Sequence, residues 1–166
     1  MSISALLLPE FDQEMKVTRT MLERVPNKPD YQPHAKSMKL SNLAPHVAQL
    51  TGFGEIILTS KEFDFSTGSI QRLPFESGAQ LVKALDEGAA KVRGILEKMP
   101  DSAWNEPWKL SFQGKKIFEG PRFLAYREMF LNHIVHHRAQ LGVYLRLNDV
   151  PLPSTYGPSA DDTMGF

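Results

Sequence analysis

The chain has 166 residues, of which 42% are hydrophobic and 23% charged, a composition typical of a globular domain. We therefore expect one domain over residues 1–166, long enough to bury a hydrophobic core. Its 19 basic and 19 acidic side chains cancel, so no net field favours nucleic acid or an anionic membrane. Because the chain has no cysteine, any metal must be held by histidine and oxygen ligands.

The N-terminal apolar run lacks the basic segment and the length of a signal peptide. No stretch of the sequence approaches the roughly 18 consecutive apolar residues that suggest a membrane span. We therefore expect a cytoplasmic protein without a membrane partner.

Amphipathic periodicity predicts four helices. They are expected at Glu10–Val25 before the stop at Pro26, from an N-cap at Ser41 to Thr59, at Ser77–Met99, and from Pro121 in the first turn to Leu147. Between the last two helices, apolar residues alternate around Gln113-Gly114, which predicts a short hairpin or an extended crossover. The fold class is therefore expected to be all-α, a four-helix bundle with a site between facing helices.

Two histidines of the last predicted helix, His133 and His137, are four residues apart and share one helix face. Imidazoles with this spacing can bind one metal ion without bending the helix. His46 lies on the expected inward face of the second helix and would supply a third ligand. Three histidines leave coordination positions open for water or substrate, as in catalytic metal sites. Five histidines also give such a spacing by chance, so hydrogen-bonded core histidines are the alternative.

The rotation of about 100° per residue in an α-helix predicts which residues share a face with this pair. Gln140 and Tyr144 lie on the stripe of His133 and are candidates for supporting the ligands or orienting a substrate. His136 lies on the shoulder of the stripe and is expected at the rim.

Other residues have interpretations that the sequence leaves open. His34 lies in a loop without a partner by spacing, and Arg138 points away from the site, towards the surface or an inter-helix ion pair. Trp104, Trp108 and Phe112 either line a pocket or belong to the core, and the core is the commoner place for such aromatic residues. Residues 156–159 form a lid, a dimer contact or plain C-terminal packing.

The sequence HIVHHRAQLGVYLR at residues 133–146, followed by VPLP at 150–153 and YGPS at 156–159, resembles the DinB-like family of metal-binding four-helix bundles. PHVAQL at residues 45–50 resembles the first ligand segment of that family. The resemblance implies an up-down-down-up bundle, frequent homodimers and a three-histidine divalent-metal site. The metal is most often zinc or nickel, with iron and manganese as alternatives. His46, His133 and His137 fall on the ligand positions of the family.

The resemblance implies a function less directly than it implies a metal site. Characterised members of the DinB-like family include thiol S-transferases and mycothiol-dependent isomerases, while others are described only as metal-dependent hydrolases. Three neutral imidazoles leave a divalent ion its full charge, so a small thiol would lose its proton and become a nucleophile. The same ion could activate water for hydrolysis. No carboxylate lies on the mapped stripe, which favours thiol transfer unless Asp161, Asp162 or a loop glutamate folds over the site. A metal-binding stress protein without turnover is the third alternative.

Overall fold

The computed structural model describes residues 2–68 and 70–165, which form four long helices and a small three-stranded sheet. The helical elements are α1 (Ile3–Leu22), α2 (Leu40–Thr59), α3 (Gly78–Leu96), a 3-10 helix (Asp101–Asn105), α4 (Arg122–Ala125), a π-helical segment (Tyr126–Leu131) and α5 (Asn132–Arg146). The strands are β1 (Glu62–Asp64), β2 (Pro107–Phe112) and β3 (Lys115–Pro121). The last three helical elements follow one another directly as one C-terminal helix, residues 122–146. No helix in the described part of the chain has the length and apolar character needed to cross a membrane.

The expected all-α class is confirmed only in part, because the fold is mainly helical but also contains a small sheet, of which the hairpin before the last helix was expected. Strands β2 and β3 form an antiparallel hairpin, and β1 pairs with β2 in parallel. The hairpin turns at Gln113 and Gly114, which have φ angles of 50° and 74°, as a tight two-residue connection requires. Strand β1 has only three residues, too few for its alternation to be recognised in the sequence.

The first two helices begin earlier than predicted. Helix α1 starts at Ile3 rather than Glu10, because the Ser2 side chain accepts a hydrogen bond from the Ala5 N–H at 3.2 Å and caps the helix. Pro9 lies inside α1, and because proline has no backbone N–H, the helix continues there without one of its hydrogen bonds. Helix α2 starts at Leu40, so the predicted cap Ser41 already lies within the helix. Helix α3 starts at Gly78, within one residue of the prediction, and the Ser77 side chain caps it by accepting from the Gln80 N–H at 3.2 Å.

The helices run up, down, down and up around one core. Helices α1 and α3 are antiparallel, α2 and α3 are parallel, and the C-terminal helix is parallel to α1 and antiparallel to α2. Contacts between residue pairs define these directions. Helices α1 and α3 meet at Arg19–Asp86 and Asp12–Arg93, and α2 and α3 meet at Thr51–Gly88 and Glu55–Lys91. The C-terminal helix meets α1 at Glu10–Arg127 and Glu14–Arg138, and it meets α2 at Gly54–Phe130 and His46–His133.

The core contains the buried apolar faces of α2 and α3, together with both tryptophans. Trp104 and Trp108 are fully buried, and their indole N–H groups donate to the hydroxyls of Ser4 and Ser60. Both therefore serve the core. Phe112, on the hairpin, is 47% exposed.

Candidate metal centre

Three imidazoles meet between α2 and α5. The Nε2 atom of His133 lies 3.4 Å from Nε2 of His46 and 2.9 Å from Nε2 of His137. One ring nitrogen from each histidine lies within 4.8 Å of the other two. The i,i+4 spacing on α5 and the antiparallel approach of α2 therefore bring together the three residues that the sequence singled out.

These separations suit a single metal ion. Two nitrogen ligands at about 2.0–2.1 Å from one ion lie about 2.9 Å apart at a right angle and about 3.4 Å apart at the tetrahedral angle. The two Nε2 separations in the site match these values. The described residues supply no fourth histidine, aspartate or glutamate to the group, so the donor set leaves coordination positions free.

Hydrogen bonds on the far edges of two rings set which nitrogen carries the proton. Nδ1 of His133 lies 3.2 Å from the carbonyl oxygen of Met129, which can only accept, so Nδ1 carries the hydrogen. Oε1 of Gln140 accepts from Nδ1 of His137 at 2.8 Å, and its amide nitrogen donates to His136. Both Nε2 atoms therefore present lone pairs to each other at 2.9 Å, an arrangement that a cation stabilises.

The π-helical segment supplies one of these hydrogen bonds. Its wider turn is marked by the N–H of Asn132, which donates to the carbonyl of Arg127, five residues earlier. Met129, whose carbonyl fixes His133, belongs to this segment. Single π-helical turns are frequent at functional sites because they redirect backbone groups. No sequence pattern indicates this segment, since the periodicity predicts a regular α-helix throughout.

Burial keeps the three imidazoles neutral. Desolvation lowers the pKa of His46 from 6.5 to about 4, and the charges of His137, His133 and Arg72 contribute to the same shift. Burial is also the main cause of the lowered pKa values of His133 and His137. Metal ligation requires the neutral imidazole, so the donors are ready to bind near pH 7.

An open groove of about 630 Å³ lies beside His46. Its walls come from the start of α2 and from the loop between β1 and α3. The lining residues are Met38, Ser41, Asn42, Pro45, His46, Gln49, Phe65, Gly68, Ile70, Arg72 and Leu73. This described lining contains no aspartate or glutamate.

The remaining histidines and Tyr144 lie outside the group of three imidazoles. The Tyr144 hydroxyl donates to the carbonyl of Met38 at 2.8 Å and so holds the chain just before α2. His136 is exposed, with its ring 4.8 Å from that of His137. His34 is exposed in its loop, where Nδ1 accepts from the N–H of Lys36.

Arg138 forms a buried inter-helix ion pair, the second of its two sequence interpretations. Its guanidinium lies 2.7 Å from Glu14 of α1 and donates to the Tyr156 hydroxyl, which in turn donates to Glu14. Tyr156 thus packs the C-terminal tail against the bundle.

The two tail aspartates also organise the tail. Asp161 pairs with Arg146 and accepts from the N–H of Leu152, and Asp162 accepts from Ser154. Neither carboxylate therefore reaches over the histidines as a general base.

Comparison with known proteins gives a fold but no sequence family. No protein-family model matches the chain, and no curated protein matches it. A DinB-like protein from Bacillus cereus has a TM-score of 0.67 and 16% identity, over 90% of this chain and 95% of that one. The DinB-like protein YjoA from Bacillus subtilis has a TM-score of 0.63 and 17% identity, over 89% and 96%. The chain therefore has the fold of DinB-like proteins.

Proposed function

We propose that this chain is a divalent-metal-dependent enzyme that activates a small thiol for transfer to an electrophile. The observation that supports it is the convergence of three imidazoles, two of them with fixed lone pairs, beside an open groove. A divalent ion held there, zinc or nickel by the family resemblance, would supply the positive charge that lowers the pKa of an incoming thiol.

Each residue of the site has a separate task in this proposal. His46, His133 and His137 hold the ion, while the Met129 carbonyl and Gln140 keep the rings in the binding tautomer. The groove beside His46 admits the thiol, the electrophile or both. Because the described lining offers no carboxylate as a general base, the site favours a nucleophile whose own proton is easily lost.

Hydrolysis and metal binding without turnover are the two competing functions. Hydrolysis usually calls for a general base beside the attacking water, which the described groove lining lacks. A structural site is usually closed by four protein ligands, and the described residues group only three. Both observations support thiol transfer over its competitors.

The test is metal analysis followed by thiol titration. Protein purified without a metal-affinity step should carry about one divalent ion per chain. In cobalt-substituted protein, at least one thiol among cysteine, N-acetylcysteine, glutathione and a sugar-linked thiol should produce a sulfur-to-cobalt charge-transfer band. His133→Ala is the matched control and should show neither metal nor band. Turnover of esters or amides without any thiol band would replace this proposal with hydrolysis.

A homodimer is part of the proposal and is supported only by the family resemblance. Light scattering of the purified protein should give twice the 18.7 kDa mass of the chain. A monomer mass at all concentrations would contradict the homodimer but not the proposed metal site.

A further inference from the structure

Arg72, on the loop between β1 and α3, carries a positive charge that pairs with no carboxylate among the described residues. Its side chain is exposed and lines the groove beside His46. An arginine without a carboxylate partner, in a groove whose described lining holds no acidic residue, is suited to an anion from outside the chain.

The position of Arg72 is fixed from α2. Gln49 lies one helical turn after His46, and its Oε1 accepts from the N–H of Leu73 at 2.7 Å. Its amide nitrogen donates to the carbonyl of Gln71 at 3.4 Å. These two backbone groups flank Arg72 in the chain, so Gln49 holds the arginine near the histidines. The charge of Arg72 reaches His46, whose pKa it helps to lower.

The groove has further positive charge, and its described lining holds no carboxylate to neutralise that charge. Ser41 and Asn42, in the first turn of α2, line the groove, and the N-terminal end of a helix carries a partial positive charge. The proposed metal ion would add to this field. An anionic group in the groove is therefore stabilised from several directions.

The groove also has an apolar side. Met38, Phe65 and Ile70 are 41%, 44% and 36% exposed, and all three line it. Exposed large apolar side chains gathered in one concave site are typical of a ligand-binding surface.

We infer that this groove binds a small amphipathic molecule whose anionic group is held by Arg72. Its apolar portion lies against Met38, Phe65 and Ile70, and its reacting atom faces the histidines. This inference rests on the proposed function, because it takes the groove as the substrate site, and it adds that one substrate is an anion. A carboxylate and a phosphoryl group share the chemistry that arginine recognises.

The test uses ligands that differ only in the charged group and contain no thiol. Calorimetric titration should show that 3-phenylpropionate binds about tenfold more tightly than 3-phenylpropanol. Arg72→Gln should abolish this preference, and Arg72→Lys should retain part of it because the charge remains without the planar fork. The corresponding phosphonate tells a site for phosphoryl groups from a site for carboxylates. At a site for phosphoryl groups, the phosphonate should bind more tightly than 3-phenylpropionate.

Lys98→Gln is the matched control, since it removes one positive charge beside Leu58 and Ser60, at the other end of α2. It should keep the full preference for the anion. An unchanged preference in Arg72→Gln, no preference in the natural chain, or no binding of any of the three ligands would overturn the inference. Because these ligands lack sulfur, a retained preference together with absent thiol chemistry would refute only the proposed function.

Discussion

Two hydrogen bonds behind the imidazole rings decide what the rings offer to a metal ion. The Met129 carbonyl and the Gln140 amide oxygen each hold an Nδ1 proton, which leaves the Nε2 lone pairs of His133 and His137 facing the centre of the site. A histidine free to change tautomer would spend part of its time with a proton on the binding nitrogen. These acceptors therefore contribute to metal affinity without touching the ion.

Removing the Gln140 acceptor should weaken metal binding without abolishing it. We expect Gln140→Ala to lower metal affinity by about 10–100-fold, the usual cost of losing a partner of a ligating histidine. Competition with a chromophoric chelator measures the affinity. His136→Ala should bind metal nearly as well as the natural chain, since Gln140 keeps its bond to His137. Complete metal loss in His136→Ala would show that His136, not His137, is the ligand.

The buried histidines also make the metal-free protein sensitive to acid. The pKa of His46 is about 4 in the folded chain and 6.5 in an unperturbed imidazole, so between these values the unfolded chain binds more protons. The free energy of unfolding should therefore fall as the pH falls from 6.5 towards 4.

Urea unfolding of chelator-treated protein across this pH range measures the effect. The variant His46→Gln should lose less stability over the same range, because the glutamine side chain does not titrate. Identical pH dependence in the two proteins would mean that His46 is not buried neutral.

Among the elements, the contact of α2 with the C-terminal helix sets the spacing of the metal ligands. Gly54 of α2 lies against the Phe130 ring, where an added Cβ would come within 2.8 Å of a ring carbon. The missing side chain thus lets α2 approach the π-helical segment two turns beyond His46.

Gly54→Ala should destabilise the fold by about 1–3 kcal/mol through overpacking and should weaken metal binding as α2 moves outward. Thermal unfolding and chelator competition measure the two effects. Gly52→Ala on the same helix is the control, because nothing lies within 4 Å of its added Cβ. It should instead stabilise the chain by up to about 1 kcal/mol through helix propensity. Equal behaviour of the two variants would show that this contact does not set the helix spacing.

The elements also show how far the sequence alone could lead. The apolar period of the sequence predicted the four helices, although α1 begins seven residues before its predicted start, and helical spacing singled out His133 and His137. The π-helical segment and strand β1 were not predicted, because the first depends on hydrogen bonds between backbone groups and the second on pairing with a distant strand. The Arg72 groove was missed for a similar reason, since the contacts that bring this loop to α2 join residues far apart in the chain, among them the hydrogen bonds of Gln49 and the stacking of Phe65 on Phe53.

For the molecule as a whole, the Arg138 and Glu14 pair joins the C-terminal helix to α1 inside the core. Their side chains are 3% and 9% exposed, and Tyr156 adds the tail to the same cluster. Hydrogen bonds from the Arg138 guanidinium to Thr18 and Tyr156 help to hold it, but a charge buried to this degree also needs a counter-charge to offset the cost of its burial.

Glu14→Gln should therefore destabilise the protein by about 3–5 kcal/mol, because it leaves Arg138 buried without a counter-charge. Tyr156→Phe, which removes only a hydroxyl, should cost about 1 kcal/mol. Glu119→Gln is the control at an exposed pair with Lys116 and should change stability far less than Glu14→Gln does, because solvent screens the exposed pair. Denaturant unfolding measures all three, and equal losses from Glu14→Gln and Glu119→Gln would contradict this account.

The two helices that meet at the histidines are far apart in the chain, since 87 residues separate His46 from His133. An ion bound there would work as a removable cross-link around α3 and the hairpin. Closing so long a loop takes more entropy from the unfolded chain than closing a short one, which is how disulfides stabilise secreted proteins. In a chain without cysteine, resistance to heat would then follow the supply of metal, and a chelator would act on this protein as a reductant acts on a disulfide-bonded one.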